Sequence, residues 1–323
     1  MINSWVYIES EGSSIEDVSL EIIGRLNELK NDIDLKITGF YLGTKPGDLP
    51  RIAISYGVDH FIFLKSDLFS FYDSQTFVNG ISDLVRERNP DIMLFGATYQ
   101  GRDFAGRLAA RLKTGLAANA ISLNIDKKGL LYTGVPGYGG RFIAEIVNMK
   151  ARPQISTVRQ GIFKKMERDE SRSGEIEIVD VELKGFNQKL KLLERKKLDI
   201  KDITKSERVV IIGNGAGNNL KPIEEFAKLI GADIGVTRPV ADRGLAPRDI
   251  QVGSTGVSLN SKIAIIFGSS GSNHFVSGIE RCKFVISVDI DKNSNIFNYS
   301  DYCVVADMFK LLPFLIKRMG GDL

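Results

Sequence analysis

A run of glycine and hydroxyl residues, Gln251-Val-Gly-Ser-Thr-Gly-Val257, lies between Arg238-Pro-Val-Ala-Asp242 and a second small-residue turn, Gly268-Ser-Ser-Gly-Ser-Asn-His274. Residues of these types can cradle a large phosphorylated ligand. Gly253 and Gly256 let backbone approach a ligand closely and adopt dihedrals closed to other residues, while Ser254 and Thr255 offer hydroxyls and amide donors. Arg238 carries a permanent charge, which suits a site that must hold negative charge. Upstream, the strand-like Val209-Val-Ile-Ile212 runs into Gly213-Asn-Gly-Ala-Gly217, with Asp233 further on. This nearly spells the dinucleotide fingerprint with its ribose-binding acid, but Asn218 stands where the third glycine belongs. Such a match supports a nucleotide-type fold more than it supports NAD.

Taken singly, each cluster also reads as an ordinary turn. Their weight comes from convergence, because loops leaving the carboxyl ends of strands in an open α/β sheet meet at one edge. The turn Gly268 to Gly271 follows the strand Ala264 to Phe267 and opens a helix near Ser272, whose amides would attract a phosphate or an electron-rich ring oxygen. Asp289 and Asp291 end the next strand and either accept ribose or adenine hydrogen bonds or form a polar loop. Asp307 is a ligand contact or a helix N-cap.

The elements that must position these residues alternate in type. Candidate strands are Trp5 to Glu9, Leu35 to Leu42, His60 to Leu64 and Asp91 to Gly96. Ile15, Val18, Ile22, Leu26 and Leu29 keep helical spacing between the first two, with Ser13 and Glu16 as a capping box. A helix at Gly101 to Lys113 leads to a strand Leu123 to Tyr132, a turn region Gly134 to Gly140 and a strand Phe142 to Val147. A densely charged crossing from Lys164 to Lys201 surrounds the strand-like Ile176 to Leu183. A second alternating unit comes next: strand Arg208 to Ile212, helix Ile223 to Leu229, strand Ala264 to Phe267, strand Phe284 to Val288, strand Tyr302 to Val305 and helix Met308 to Arg318. The expected fold class is α/β, with two domains that each hold a mostly parallel sheet with helices on both faces. The boundaries expected are an N-terminal α/β domain at 1–163, a crossing at 164–205 and a Rossmann-like domain at 206–323.

At 323 residues with 43% apolar content, the chain is long enough for two cores. Its 43 basic and 40 acidic side chains leave a net charge of +3, which gives no reason to invoke nucleic acid or anionic lipid. No apolar run approaches membrane-spanning length and no signal-like segment precedes Trp5, so the expectation is a soluble, cytoplasmic protein without direct membrane insertion. Cys282 and Cys303 lack metal-ligand spacing and read as reduced, small packing residues. His60 and His274 leave few candidates for acid/base work.

Several ordered motifs together resemble the α subunit of electron transfer flavoprotein over nearly the whole chain. In the first half they are Gly101-Arg-Asp-Phe-Ala-Gly-Arg-Leu-Ala-Ala-Arg-Leu-Lys-Thr-Gly115 and Arg152-Pro-Gln-Ile-Ser-Thr-Val-Arg159, with Gly161 and Phe163. In the second they are Arg238 to Asp242, Gly244, Pro247, Gln251 to Gly256, the Gly268 to Gly271 turn, and Asn295-Ile-Phe-Asn-Tyr-Ser-Asp-Tyr302 leading to Val305-Ala-Asp307. The resemblance implies FAD in the C-terminal domain and a partner β subunit. It also implies electron donors among flavin dehydrogenases, such as those of fatty acid β-oxidation, and a quinone reductase or another acceptor. A bifurcating or nitrogen-fixation-type, NADH-oxidising relative and an NAD-dependent dehydrogenase are the alternatives. Carried over by position, Arg238 sits against the isoalloxazine ring and Thr255 near its N5. Gln251, Val252, Gly253 and Ser254 line the flavin. Gly268, Ser270, Gly271, Ser272, Asn273 and His274 face its pyrimidine side or phosphates, and Asp289, Asp307 and Met308 its adenosine end. A fixed cation and oriented amides would favour the reduced, anionic flavin without a proton-transfer residue. The chain departs from the family at Asn214, where arginine is common between two glycines, and at Asp289, where asparagine is usual. It departs again at His274 and Phe275, which occupy the places of a Gln-His pair. Either His274 reaches the flavin from its displaced position or that contact is missing.

Overall fold

The computed structural model describes residues 1–137, 142–183, 185–186, 188–194 and 202–319. It divides into two compact units, Met1–Arg195 and Lys196–Leu323. In the first, β1 (Ile2–Tyr7), β4 (Leu35–Gly43), β5 (His60–Lys65), β6 (Ile92–Gly96), β7 (Leu116–Ala120), β11 (Gln154–Val158) and β12 (Glu175–Asp180) form one sheet in the order β12-β5-β4-β1-β6-β11-β7. All its pairings are parallel. Parallel neighbours require crossover connections, and helices α1 (Asp17–Leu29), α2 (Leu49–Ser55), α3 (Ser74–Arg88) and α4 (Tyr99–Leu112) supply them. The continuous apolar run of β1 divides by alternation. Val6 and Ile8 join a core with α1 and α2, while Trp5 and Tyr7 join Phe40, Phe95 and the apolar sides of α3 and α4. A strand buried on both faces reads this way in sequence.

Beside this sheet, β8 (Ser122–Ile125), β9 (Leu131–Gly137) and β10 (Phe142–Val147) form an antiparallel sheet, and β2 (Ser10–Glu11) with β3 (Ser14–Ile15) forms a small hairpin. Several expectations are corrected here. The strand expected from Leu123 to Tyr132 is broken because the Asp126 carboxylate accepts from the amides of Lys128 and Leu130, closing a turn around Gly129 at φ +78°. The capping box at Ser13 is absent, since Ser14 is committed to β3 and the helix begins after Glu16 without a side-chain cap. The strand expected inside the charged crossing is β12, which pairs residue by residue with β5 and so is an edge of the first sheet. Part of the turn region expected at Gly134 to Gly140, and the end of the crossing, lie outside the described residues.

The second unit holds β13 (Arg208–Ile212), α5 (Lys221–Leu229), β14 (Asp233–Val236), α6 (Arg238–Asp242), β15 (Ile263–Phe267), α7 (Asn273–Val276), β16 (Val285–Asp289), β17 (Tyr302–Val305) and α8 (Met308–Met319). Its five strands are parallel in the order β14-β13-β15-β16-β17. Val210 and Ile212 face α5 and α8, whereas Val209 and Ile211 face Val252, Leu259 and Phe275, so a helix pair covers one face and loop with α7 the other. Cys282 is half-buried but Cys303 is exposed on β17, which leaves a packing role to Cys282 alone. No helix among the described residues is long and apolar enough to cross a membrane, and they contain no metal-binding cluster.

Glu9 follows β1 at the carboxyl edge of the first sheet. The Thr98 hydroxyl accepts from the Gly101 amide at 2.8 Å, capping α4, and donates to Glu9 Oε2 at 2.7 Å. Burial pushes the Glu9 carboxyl up from 4.5 to about 7, against the lowering effect of Thr98 and with a smaller rise from Glu16. Between these values the native state holds a proton that the unfolded chain has released, so this group's contribution is lost as pH rises through about 7. Thermal melts of Glu9→Gln should therefore exceed wild type by a few degrees at about pH 8 and converge on it near about pH 4. A pH-independent difference would contradict the buried-carboxyl account.

Candidate functional site

β13 leads to β14 on one side, and the chain then crosses back to place β15 on the other. Strand order therefore reverses between β13 and β15, and a crevice opens at their carboxyl ends. Here the turn after β13 meets the turn after β15: the Gly213 amide donates to Phe267 O and the Gly215 amide to Gly268 O, both at 2.8 Å. A Cβ on Gly213 would collide with the Gly268 carbonyl, and one on Gly268, at φ +65°, would stand 2.5 Å from the Met308 methyl. Met308 is buried, so it supports this turn from beneath. Gly271, at φ +72°, lies against the backbone of Ile296, and the Asn295 side-chain amide donates to its carbonyl at 2.6 Å. The motif around Asn295 thereby clamps the turn.

The loop 251–257 is tied to the same place. Its Val252 amide donates to Val236 O at 2.8 Å, and Val252 and Gln251 are buried, so Val252 presents only backbone while the Gln251 amide holds Thr255 Oγ1 at 2.8 Å. The Ser254 amide donates to His274 O at 2.7 Å, and Ser254 Oγ lies 3.0 Å from His274 Nδ1. Gly253 has φ +138°, and a Cβ there would stand 2.6 Å from His274 O; a Cβ on Gly256 would meet Gln251 O. Close approach at both glycines is thus to protein backbone, and only Gly253 needs the unusual dihedral. Phe275 is buried in the core and His274 is exposed, so of the two it is His274 that α7 turns outward. α7 is a single turn, too short to build up a helix dipole at Ser272, so only its local amide donors can act there. Thr255, Ser270, Ser272 and His274 are exposed along this edge, with Ser254 and Asn273 half-buried.

Arg238 opens α6 directly after β14, and its Nε donates to Asp242 at 3.2 Å, with its side chain 64% exposed. Asp242 also takes Arg248 at 2.9 Å. Thr237, between β14 and Arg238, is buried with its hydroxyl unpartnered. Arg243 reaches back to Gly217 O at 3.1 Å. Sequence reasoning passed over Thr237, Arg243 and Arg248, because only the paths of β14 and α6 bring them to this edge. Asp289 ends β16 and accepts from the Asp291 amide at 2.9 Å; Asp307 caps α8 by accepting from the Phe309 amide at 2.9 Å. Asp233 is the exception. It begins β14, at the amino end of the strand, where the Ser206 hydroxyl donates to it. A ribose-binding acid would have to lie at the opposite end.

The pattern of the Electron transfer flavoprotein domain matches residues 4–184, and that of the Electron transfer flavoprotein FAD-binding domain matches residues 202–280. The chain belongs to the electron transfer flavoprotein α-subunit family. Its relatives include the electron transfer flavoprotein subunit alpha of Thermoanaerobacterium thermosaccharolyticum, 31% identical over 98% of this chain and 97% of the relative. Protein FixB of Rhizobium meliloti is 33% identical over 98% and 92%. The LctC subunit of a lactate dehydrogenase (NAD(+), ferredoxin) from Acetobacterium woodii is 31% identical over 98% and 76%. Subunits of this family pair with a β subunit.

The glycines along this edge can be ranked by what surrounds them. Gly244 has φ +71° with open space around it, whereas Gly271 combines φ +72° with the Ile296 backbone. Gly244→Ala should cost roughly 1 kcal/mol of strain, and Gly271→Ala about 2–3 kcal/mol or more because strain and collision combine. Denaturant unfolding of the two variants checks the order. Equal costs would show that the Asn295 clamp does not hold the turn closely.

Proposed function

We propose that this chain binds FAD at the carboxyl edge of its second sheet and carries electrons as the α subunit of a heterodimer. The observation that carries this is the convergence at one edge of the Arg238 cation, the exposed hydroxyls of Thr255, Ser270 and Ser272, and the buried, unpartnered Thr237 hydroxyl. This donor-rich set fits an anionic dinucleotide with a polar ring. When bound, the flavin supplies the two-electron chemistry. Arg238 supplies fixed positive charge beside the ring; Val252 to Ser254 present backbone groups to it and Thr255 its hydroxyl. The Ser270 turn holds the pyrimidine side or the phosphates. Asp289 keeps a carboxylate oxygen for the adenosine end, with Asp307 beside it. Arg243, reaching the Gly217 turn, provides there the cation that Asn214 does not.

The first unit would dock the β subunit. Electrons would come from flavin dehydrogenases, among them those acting on acyl-CoA, and leave to a quinone reductase or another acceptor, in the cytoplasm. A bifurcating or nitrogen-fixation-type role is the second reading, favoured by relatives named FixB and by LctC, whose name carries NAD(+) and ferredoxin. An NAD-dependent dehydrogenase is disfavoured, because Asp233 is at the wrong end of β14 for ribose.

Denaturing the purified protein and separating the released nucleotide should yield FAD. Recovery of NAD alone, or no uptake of FAD on reconstitution, would remove this reading. In the loaded protein, Arg238→Ala should lower the flavin reduction potential, and Arg238→Lys should retain part of the effect because charge remains while the planar fork is lost. An ion pair as exposed as Arg238 with Asp242 contributes only about 0–1 kcal/mol, so melts should barely move. Redox titration beside thermal melts separates the roles: an unchanged potential in a folded, FAD-loaded Arg238→Ala protein contradicts the electrostatic one.

A further inference from the structure

Ser254 makes two contacts with one residue twenty positions away: its amide donates to His274 O at 2.7 Å, and its hydroxyl lies 3.0 Å from His274 Nδ1. The His274 carbonyl also accepts from Ser277 Oγ at 3.1 Å. Backbone and ring of His274 are therefore both held, although the side chain stands exposed on a one-turn helix. No protein group among the described residues bonds Nε2 or offers a second acceptor to the Ser254 hydroxyl.

We infer that Ser254 is a positioning residue for His274: its hydroxyl donates to Nδ1, fixes the neutral ring as the Nε2–H tautomer, and leaves that N–H as a directed donor at the carboxyl edge. The tautomer of a histidine is set by the hydrogen bond made by its other nitrogen. With Nδ1 as acceptor, the single hydroxyl hydrogen is used within the pair and Nε2 must carry the ring proton. With Nδ1 as donor, the edge would lose its outward N–H and present a lone pair to an electron-rich ligand. The amide contact persists when the hydroxyl is removed, so Ser254→Ala isolates the ring contact from the loop contact. Phe275 lies in the core, so His274 is the imidazole that α7 brings to this edge. The group that the N–H would meet rests on the flavin reading; the tautomer does not.

Histidine-selective nitrogen NMR suits the question because the chain has only 2 histidines. His60 is buried in the first unit beside Glu177, and burial lowers its basicity, so a His60→Gln protein identifies each ring. At a pH where His274 is neutral, the chain without FAD should show His274 protonated on Nε2. Ser254→Ala should give a mixture of tautomers, and Ser254→Thr should restore the wild-type signature. On loading with FAD, the Nε2 resonance of wild type should move, and Ser254→Ala should weaken FAD retention roughly threefold to tenfold, the range of one hydrogen bond. A ring protonated on Nδ1 in wild type, or a tautomer indifferent to Ser254→Ala, overturns the inference even if FAD binds normally. So does an Nε2 resonance that ignores bound FAD. If wild type takes up no FAD while the Ser254-dependent tautomer is present, the flavin reading fails and the positioning role stands.

Discussion

The contact between the turns at the carboxyl ends of β13 and β15 governs the second unit. Gly213 and Gly215 donate to Phe267 O and Gly268 O, and the backbones come so near that a side chain on Gly213 would strike the Gly268 carbonyl. Fixing these turns also fixes the segments downstream of them. Met308 must fill the space under Gly268, which sets the start of α8, and Asp307 caps the helix beginning there. Gly271 must pass the backbone of Ile296, which sets the approach to β17. A larger residue at any of these places would move several loops at once.

From that fixed point the order spreads through directed bonds. Asn295 holds Gly271; His274 holds Ser254; Gln251 holds Thr255; and Val252 is anchored to Val236 on the outer strand. The exposed hydroxyls are thus mounted on a frame held by its own hydrogen bonds, with the buried Thr237 hydroxyl left unpartnered beside Arg238. Donors held in this way need little reorganisation when charge develops nearby.

Much of this was legible in the sequence, but partly for a different reason. The parallel sheets followed from apolar runs alternating with helical spacing, and the loops at 251–257 and 268–274 were correctly brought to one edge. The glycines were read as room for a ligand; the structure uses Gly253 and Gly256 as room for the protein's own backbone. Asp233 matched a spacing rule, yet spacing cannot say at which end of a short strand a residue falls. The strands β14 and β11 were missed because Asp233-Ile-Gly-Val236 and Gln154-Ile-Ser-Thr-Val158 are short and carry small or polar residues. Parallel neighbours on both sides of β11 bury it regardless of that polarity. The Ser254 to His274 bond had no sequence signal, since the two residues come together only after β15 and β13 have paired.

Arg238 shows how a residue held in a turn can keep its charge exposed. It spans one turn of α6 to Asp242, as a structural arginine would, yet Asp242 is shared with Arg248. Two cations on one carboxylate leave a net positive charge at the edge even with every pair intact. An anionic group that drew Arg238 away would not strand Asp242, because Arg248 would remain on it. The exchange takes place between exposed groups, where each ion pair contributes only about 0–1 kcal/mol and little desolvation is undone. Burying the pair would have locked Arg238 to its carboxylate at a cost of several kcal/mol to break. Exposure therefore keeps the guanidinium available, and the second arginine makes that availability inexpensive for the fold.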